Sequence, residues 1–434
     1  MTKFKDFIFL LFQEFKSNPV IGIFFFLPLF PKILSLVIII ALINSISTFG
    51  FSEKINQLKS NKPFWFILLF YLLYFVGVFY SGNQKYAWQD IETKLSFLVM
   101  PFLFVGTNYK TAQYNKFFSA LLYGVMLSFL YCEIQAIYNY SYEMYARRNN
   151  ILLDNYPNTN FFYTSYFCPF LHHSYFSLYV CLVQAFLLNK LLDLKETFLK
   201  KLNLVFILCL TLLLQYQLLS KAGLISTIFV FSFFSVKLLV KSSFNRKILL
   251  PVFVVFAIAL VASFQSQKLK TNFQTIFTTN LSVQHTKDLS TTESSEVRVL
   301  VWSSTLDLIS KNWLFGTGTG DIKDELLDNY KQKGFTGALE KKLNSHNQYL
   351  QTFATIGIFG FLSLLAMIIY FSYSSLKSKN FVFFVVCVVI SFNLLFESML
   401  EVQAGTIFIA MFFSLIASAT KKHQKLNTEA EVKI

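Results

Sequence analysis

Long apolar runs alternate with short polar segments along most of the chain. A helix of about 20 apolar residues crosses the roughly 30 Å hydrocarbon core of a bilayer. The pattern predicts about twelve such transmembrane spans. We expect them at residues 19–30, 33–50, 64–80, 91–106, 114–140, 170–192, 202–219, 222–240, 247–264, 348–374, 379–398 and 401–419.

The composition agrees with this pattern. Hydrophobic residues make up 55% of the chain, aromatic residues 18% and charged residues only 14%. This balance is unusual for soluble globular proteins and predicts an all-α polytopic integral membrane protein. The net charge of +15 does not indicate nucleic-acid binding, because the basic residues are spread among short connections and do not cluster beside stacking aromatic residues.

The placement of lysine and arginine predicts the orientation of the chain. Alternate short connections carry these residues and the connections between them are nearly bare, so the positive-inside rule places both termini in the cytoplasm. Two connections then fall on the outer side, a shorter one at 141–169 and a larger, partly helical one at 265–347, between the ninth and tenth spans. We therefore expect a transmembrane bundle over 1–264, an outer loop domain over 265–347, three spans over 348–420 and a cytoplasmic tail over 421–434.

The patterns of disulfide-rich and metal-binding proteins are missing from the sequence. The five cysteines form no CxxC pair, and there is no HExxH, P-loop or EF-hand pattern. The sequence therefore predicts no disulfide framework, no metal site and no cofactor.

The larger outer loop is expected to contain helices of its own, because structureless loops of this length are uncommon. Ser290 and Glu293 match a capping box, and helical spacing continues through EVRVLVWSSTLDLIS. Arg298, Trp302 and Thr305 share one face of that helix. A second short amphipathic helix is predicted at IKDELLDNYKQK.

The stretch GTGTGD at 316–321 lies between these two helices. Its glycine spacing does not fit a dinucleotide-binding fingerprint, and a tight turn is the favoured interpretation. Alternatively, exposed backbone N–H groups around Gly318 and Gly320 would face an anionic ligand.

A histidine stands directly before the tenth span, in NSHNQYLQTFATIGIFGF. Ser345 and Gln348 match a capping box, which predicts Ser345 as the N-cap and His346 as the first helical residue. The positive helix end would keep His346 neutral near pH 7, ready to accept a proton, and would attract phosphate. The alternative is that His346, Asn347 and Tyr349 are ordinary polar and aromatic residues of the membrane interface.

Other candidate residues lie at the outer ends of earlier spans. Lys221 interrupts two apolar stretches in QLLSKAGLIS, either as a functional cation or as a snorkelling side chain. His172 and His173 open the sixth span, where a structural or glycan-contacting role is favoured over metal binding. Arg147, in the shorter outer loop, contacts either phosphate or solvent.

Four features together resemble the O-antigen ligase and polymerase superfamily of polytopic membrane glycan transferases. They are SKAG at 220–223, RVLVW followed by NWLFGTGTG at 298–320, SHNQYLQ at 345–351 followed by TIGIFGF, and the large outer loop between late spans. The resemblance implies metal-independent, inverting transfer of a glycan from undecaprenyl diphosphate to a hydroxyl acceptor. In ligases of this type the acceptor is a sugar of lipid A-core, and the site faces the periplasm from the bacterial inner membrane.

The resemblance also implies roles for particular residues. His346 corresponds to the family's histidine, and Arg298 and Lys221 correspond to the two basic residues that hold the diphosphate. Family members commonly have arginine where this chain has Lys221, and lysine keeps the charge but lacks the bidentate fork of arginine. We therefore expect His346 and Arg298 in catalysis, and substrate-binding roles at Lys221, Asn347, Trp302, Gly318, Gly320, Tyr349, His172 and Arg147.

Related activities remain open at this point. A polymerase that extends a carrier-linked chain and a protein O-oligosaccharyltransferase would show the same motifs, because acceptor choice depends on loop shape. A solute transporter is disfavoured, since the predicted spans carry few ionisable residues and the notable polar groups gather on one side.

Overall fold

The computed structural model describes a large part of the chain: residue 15 and residues 18–107, 109, 111–149, 160–192, 197–240, 289–292 and 296–431. At positions 31, 165, 238–240 and 420–431 it describes only the backbone. The predicted ninth span at 247–264 and the predicted capping residue Glu293 lie outside the described residues.

Every regular element in these ranges is helical, in agreement with the predicted all-α class. The α-helices are α1 (Val20–Phe26), α2 (Leu34–Phe49), α3 (Phe51–Ser60), α4 (Lys62–Val78), α5 (Gln84–Lys94), α6 (Ser96–Phe104), α7 (Thr111–Arg148), α8 (Thr164–Phe167), α9 (His173–Leu191), α10 (Phe198–Leu218), α11 (Lys221–Val240), α12 (Glu296–Lys311), α13 (Ile322–Lys333), α14 (Thr336–Glu340), α15 (Gln348–Lys377), α16 (Phe381–Asn393) and α17 (Gln403–Glu431). Short 3-10 turns lie at Pro31–Ile33 and Met399–Glu401.

Four of the described helices are long and apolar enough to cross a membrane, namely α7, α9, α10 and α15. Helices α2 and α3 pass the same test together but are bent by 91° at their junction. Helix α4, helix α16 and the Gln403–Ala419 part of α17 are shorter apolar helices. The described helices are thus consistent with a polytopic membrane protein, and the count of about twelve spans remains a prediction.

Several predicted spans differ from the helices that form. The apolar run at 19–30 contains only the seven-residue α1, which ends before Pro28. The run at 91–106 falls on the end of α5 and on the nine-residue α6, which carries Pro101 inside it. Helix α7 continues beyond its predicted end at 140 into the predicted outer loop, because no glycine or proline interrupts its last turns.

The chain forms two compact units, the first comprising Met1–Asn44 and Tyr109–Lys270, the second Ser45–Asn108 and Thr271–Ile434. In the first unit, α1 packs on α7, and α9 packs on both α10 and α11. The Ser128 hydroxyl of α7 donates a hydrogen bond to the backbone oxygen of Pro28 at 2.8 Å, which satisfies a carbonyl just after α1.

In the second unit, α15 packs against α4, α12 and α16, and α17 packs on α6. The three helices of the predicted outer loop, α12 to α14, form an apolar core with the first turns of α15. Its buried members are Val297, Leu300, Val301, Leu308, Ile309, Ile322, Leu326, Tyr330, Phe335, Ala338 and Ala354. This core holds the start of α15 against α12.

Candidate active site

Helix α15 begins two residues later than its sequence suggests. Its N-cap is Asn347, whose side-chain oxygen accepts hydrogen bonds from the backbone nitrogens of Tyr349 at 3.0 Å and Leu350 at 3.2 Å. The prediction that Ser345 caps the helix with His346 at the first position was wrong. Asn347 is an equally good capping residue, and the Ser345 hydroxyl is engaged elsewhere.

Ser345 is fully buried and is held by the polar face of α12. The indole nitrogen of Trp302 donates to the Ser345 backbone oxygen at 2.9 Å, and the Thr305 and Ser345 hydroxyls lie 3.0 Å apart. Both the Ser345 backbone nitrogen and its hydroxyl donate to Oε1 of Gln351, at 3.0 and 2.6 Å. The backbone immediately before His346 is thereby fixed.

His346 has a backbone φ of 43°, a left-handed conformation that is uncommon for residues other than glycine. Its backbone nitrogen donates to the side-chain oxygen of Asn344 at 3.0 Å. Such a conformation persists where the neighbouring structure imposes it, here through buried Ser345 and the capping Asn347. The imidazole Nδ1 then lies 3.4 Å from Oε2 of Glu397, and 27% of the side chain is exposed.

The N–H groups at the start of α15 are already used within the protein. The Gln348 nitrogen donates to the backbone oxygen of Leu394 at 2.8 Å, and the next two nitrogens donate to Asn347. The predicted capture of phosphate by this helix end therefore lacks its first donors. His346 lies before the helix and not in its first turn, and its ring faces the Glu397 carboxylate, which the helix-dipole argument did not include.

Arg298 approaches the same carboxylate from α12. A terminal guanidinium nitrogen of Arg298 lies 3.6 Å from Oε1 of Glu397, and the two side chains are 19% and 17% exposed. Burial lowers the pKa of Arg298, and the negative charge of Glu397 opposes this effect. The structure therefore brings the two predicted catalytic residues, His346 and Arg298, to one carboxylate.

Glu397 is not among the site residues predicted from the sequence. It lies at the end of the predicted span 379–398, where a single carboxylate reads as a boundary residue. The available signal was the stretch ESMLE at 397–401, which puts two acidic residues between two apolar runs on the side predicted to face outward. Arg298 was a second signal, because a buried arginine is almost always paired with an opposite charge.

The glycine-rich turn closes a break in α15. The helix has non-helical backbone angles at Ile356 and Gly357, with a φ of 66° at Gly357. The nitrogens of Thr317 and Gly318 donate to the oxygens of Ala354 and Thr355, at 2.8 and 2.9 Å. The Ile358 nitrogen donates to the oxygen of Trp313 at 2.9 Å. Segment 313–318 thus satisfies backbone groups that the break leaves without helical partners.

The glycines of this turn also permit close backbone approach. The Gly320 nitrogen donates to the Ser81 hydroxyl at 2.9 Å, and a Cβ on Gly320 would clash with the backbone oxygen of Asn83. Since the N–H groups of Gly318 and Gly320 both have partners, the tight-turn interpretation accounts for these residues. Their contact with an anionic substrate remains a prediction.

Tyr349 connects α15 to α16. Its hydroxyl lies 2.8 Å from the Ser391 hydroxyl and donates to the Ser391 backbone oxygen at 3.0 Å. The positions of Asn347, Trp302 and Tyr349 therefore serve the geometry around His346. Direct contact of these three side chains with substrate remains a prediction.

The remaining predicted residues lie in the first unit. Lys221 is the first residue of α11, directly after Ser220, whose hydroxyl accepts from the Gly223 nitrogen at 3.2 Å. His172 directly precedes α9, and its ring centroid is 4.3 Å from that of His173. Arg147 lies in the last turn of α7, where its guanidinium donates twice to Oε1 of Glu143, at 2.9 and 2.6 Å.

A family model described as O-antigen ligase matches residues 204–365 of the chain. The matched region contains Lys221, Arg298 and His346, whereas His172 and Glu397 lie outside it. No curated protein matches the chain. The family match supports a membrane glycosyltransferase of the O-antigen ligase or polymerase type. Over residues 204–365, it confirms the resemblance of this chain to the O-antigen ligase and polymerase superfamily.

Proposed function

We propose that this protein transfers a glycan from an undecaprenyl diphosphate carrier to a hydroxyl acceptor, a sugar of lipid A-core, at the periplasmic face of the bacterial inner membrane. The observation that carries the proposal is the meeting of Arg298 and His346 at Glu397. An ionised guanidinium and an imidazole side by side provide the charge and the base that such a transfer needs.

The reaction is a single displacement at the anomeric carbon of the donor sugar. The acceptor oxygen forms a bond to this carbon while the bond from the carbon to the diphosphate oxygen breaks. The electron pair of that bond leaves on the diphosphate, and the acceptor proton passes to Nε2 of His346. Attack from the face opposite the leaving group inverts the anomeric configuration.

The described geometry offers one group to accept the acceptor proton and another to bind the diphosphate. In the described part of the chain, Nδ1 of His346 faces Glu397 and Nε2 makes no hydrogen bond, so Nε2 is the nitrogen for the acceptor proton. The Arg298 guanidinium carries five N–H donors, of which Glu397 uses at most a part. The remaining donors suit the oxygens of a diphosphate.

Lys221 is the second cationic side chain that we propose to bind the diphosphate. The support is its position in the first turn of α11, where the helix dipole favours a bound anion. The departure from the family's usual arginine predicts a looser, monodentate contact.

A strain that lacks the gene tests the proposed activity. We expect loss of long-chain lipopolysaccharide and accumulation of carrier-linked polymer, because the donor is still assembled but not transferred. The wild-type gene should restore the glycan profile, and His346→Ala should fail to restore it although the variant inserts into the membrane. Accumulation of single repeat units would instead assign the polymerase reaction, and an unchanged glycan profile would contradict both.

A further inference from the structure

Glu397 is held in a fixed position relative to His346. Its backbone nitrogen donates to the Asn393 oxygen at 3.1 Å, one turn beyond the end of α16. Gln348 ties this segment from both sides, since its backbone nitrogen donates to the Leu394 oxygen at 2.8 Å and its side-chain oxygen accepts from the Leu400 nitrogen at 2.7 Å. Gln348 stands two residues after His346, so the carboxylate and the imidazole share one anchor.

Each carboxylate oxygen of Glu397 faces a different basic side chain. Oε1 faces Arg298 at 3.6 Å, and Oε2 faces Nδ1 of His346 at 3.4 Å. An ionised carboxylate only accepts hydrogen bonds, so the His346 nitrogen that faces it must carry the proton. In neutral His346 the lone pair then lies on Nε2.

We infer that Glu397 is a positioning residue of the transfer reaction, which fixes His346 in the Nδ1–H tautomer and holds Arg298 beside it. The inference rests on the proposed function. A general base works only when its lone pair faces the proton it removes. Once Nε2 has taken the acceptor proton, the imidazolium stands next to the Glu397 carboxylate, which stabilises the charge that forms.

The shared carboxylate also explains why Arg298 stays near the base. A distance of 3.6 Å is longer than a charge-assisted hydrogen bond, so Glu397 orients the guanidinium through charge without occupying all of its donors. Glu397 therefore serves the base and the diphosphate cation together, and its loss is expected to slow turnover more than it weakens donor binding.

The tautomer of His346 tests the inference without any substrate. The full chain, labelled with ¹⁵N-histidine in detergent, has five histidines, and His346→Gln identifies the His346 signals by difference. We expect wild type at high pH to show a protonated Nδ1 and an unprotonated Nε2. In Glu397→Ala this preference should be lost, and Glu397→Asp should retain part of it.

Turnover gives the second measurement. Glu397→Ala should lower kcat roughly 100-fold or more, with less than a tenfold change in KM for the lipid-diphosphate donor. Glu397→Gln, which preserves the side-chain volume, shows whether the charge is required if Glu397→Ala folds poorly. Glu340→Gln removes an exposed carboxylate from α14 and should behave as wild type.

The results separate the positioning role of Glu397 from the proposed glycan transfer. An unchanged His346 tautomer in Glu397→Ala, or an unchanged kcat in both Glu397→Ala and Glu397→Gln, would overturn the positioning role whatever the reaction is. A tautomer that depends on Glu397 in a protein with no glycan transfer would leave the positioning of His346 in place and refute the proposed function.

Discussion

The side chain of Asn347 performs a structural task beside the proposed base. Its oxygen caps α15 by accepting hydrogen bonds from two backbone nitrogens, whereas a substrate contact was predicted from the sequence. Serine is a comparable capping residue, and it lacks the amide N–H₂ group that would reach a substrate.

We therefore expect Asn347→Ser to preserve both thermal stability and glycan transfer within a few-fold. Asn347→Ala should lose about 1 kcal/mol of stability, because the cap is removed. Both variants are measured by thermal unfolding in detergent and by the rate of glycan transfer. Normal stability with a large loss of transfer in Asn347→Ser would assign the amide to the substrate.

Single residues differ in how much the sequence reveals about them. His346 and Arg298 were predicted as site residues because each lies in a short local pattern of the sequence. The contact between His346 and Glu397 joins positions 51 residues apart, and no local pattern connects them. The left-handed backbone of His346 likewise depends on the contacts that Ser345 makes with α12. These contacts are not visible in SHNQ, so a capping rule applied to that stretch alone predicted the wrong N-cap.

At the scale of elements, α15 is the helix that departs most from its sequence pattern. TIGIFGF reads as the interior of one apolar span, yet the helix breaks at Ile356 and Gly357. The backbone donors and the acceptor that repair the break come from segment 313–318, which is distant in sequence. Broken helices also occur in transporters, but here the protein's own backbone occupies groups at the break that would otherwise face an ion or solute.

Gly357 tests this repair, with Gly334 as its matched control. Both have positive φ, 66° and 71°, but a Cβ on Gly357 would clash with the Leu314 oxygen, whereas Gly334 has open space. The backbone of Gly357 also lies in a region accessible essentially to glycine alone, while Gly334 is in the ordinary left-handed region.

Gly334→Ala should therefore cost only about 1 kcal/mol, and Gly357→Ala should cost clearly more and lower transfer as well. The midpoints of thermal unfolding of the two variants give the comparison. Equal midpoints would show that the contact between α15 and segment 313–318 does not hold the unit together.

At the scale of the whole molecule, the apolar pattern gives the all-α class but not the internal organisation. The two compact units each combine segments distant in sequence, and hydropathy contains no information about such pairing. The run at 91–106, which contains Pro101, was also read as one span, because an apolar pattern counts residues and not hydrogen-bonded turns.

Buried charge is a second feature that hydropathy did not reveal. Lys94, inside a predicted span, is buried in the second unit and contacts Asp90 in the same helix and Glu401 at 3.4 Å. Its ammonium also lies 4.5 Å from the centre of the Tyr74 ring. The cluster joins α4, α5 and the 3-10 turn at Met399–Glu401. Glu401, the last residue of this turn, lies four residues after the proposed positioning residue Glu397.

Lys94→Met should strongly destabilise the protein, by roughly 3–5 kcal/mol, because two carboxylates lose their buried cation. Lys85→Met, on the exposed side of the same helix, is the control and should change little. Thermal unfolding in detergent compares them. If the two variants unfold at the same temperature, the cluster does not stabilise the unit.

The most direct test of the central claim is the rate of glycan transfer by the purified full chain in lipid vesicles, with a lipid-diphosphate-linked glycan as donor. His346→Ala should lower the rate at least 100-fold while thermal unfolding stays close to wild type. Arg298→Lys should be severely impaired, because lysine cannot reproduce the planar fork, and Lys311→Gln on the exposed end of α12 should transfer normally. A folded His346→Ala variant that transfers glycan at the wild-type rate would contradict the assignment of the active site.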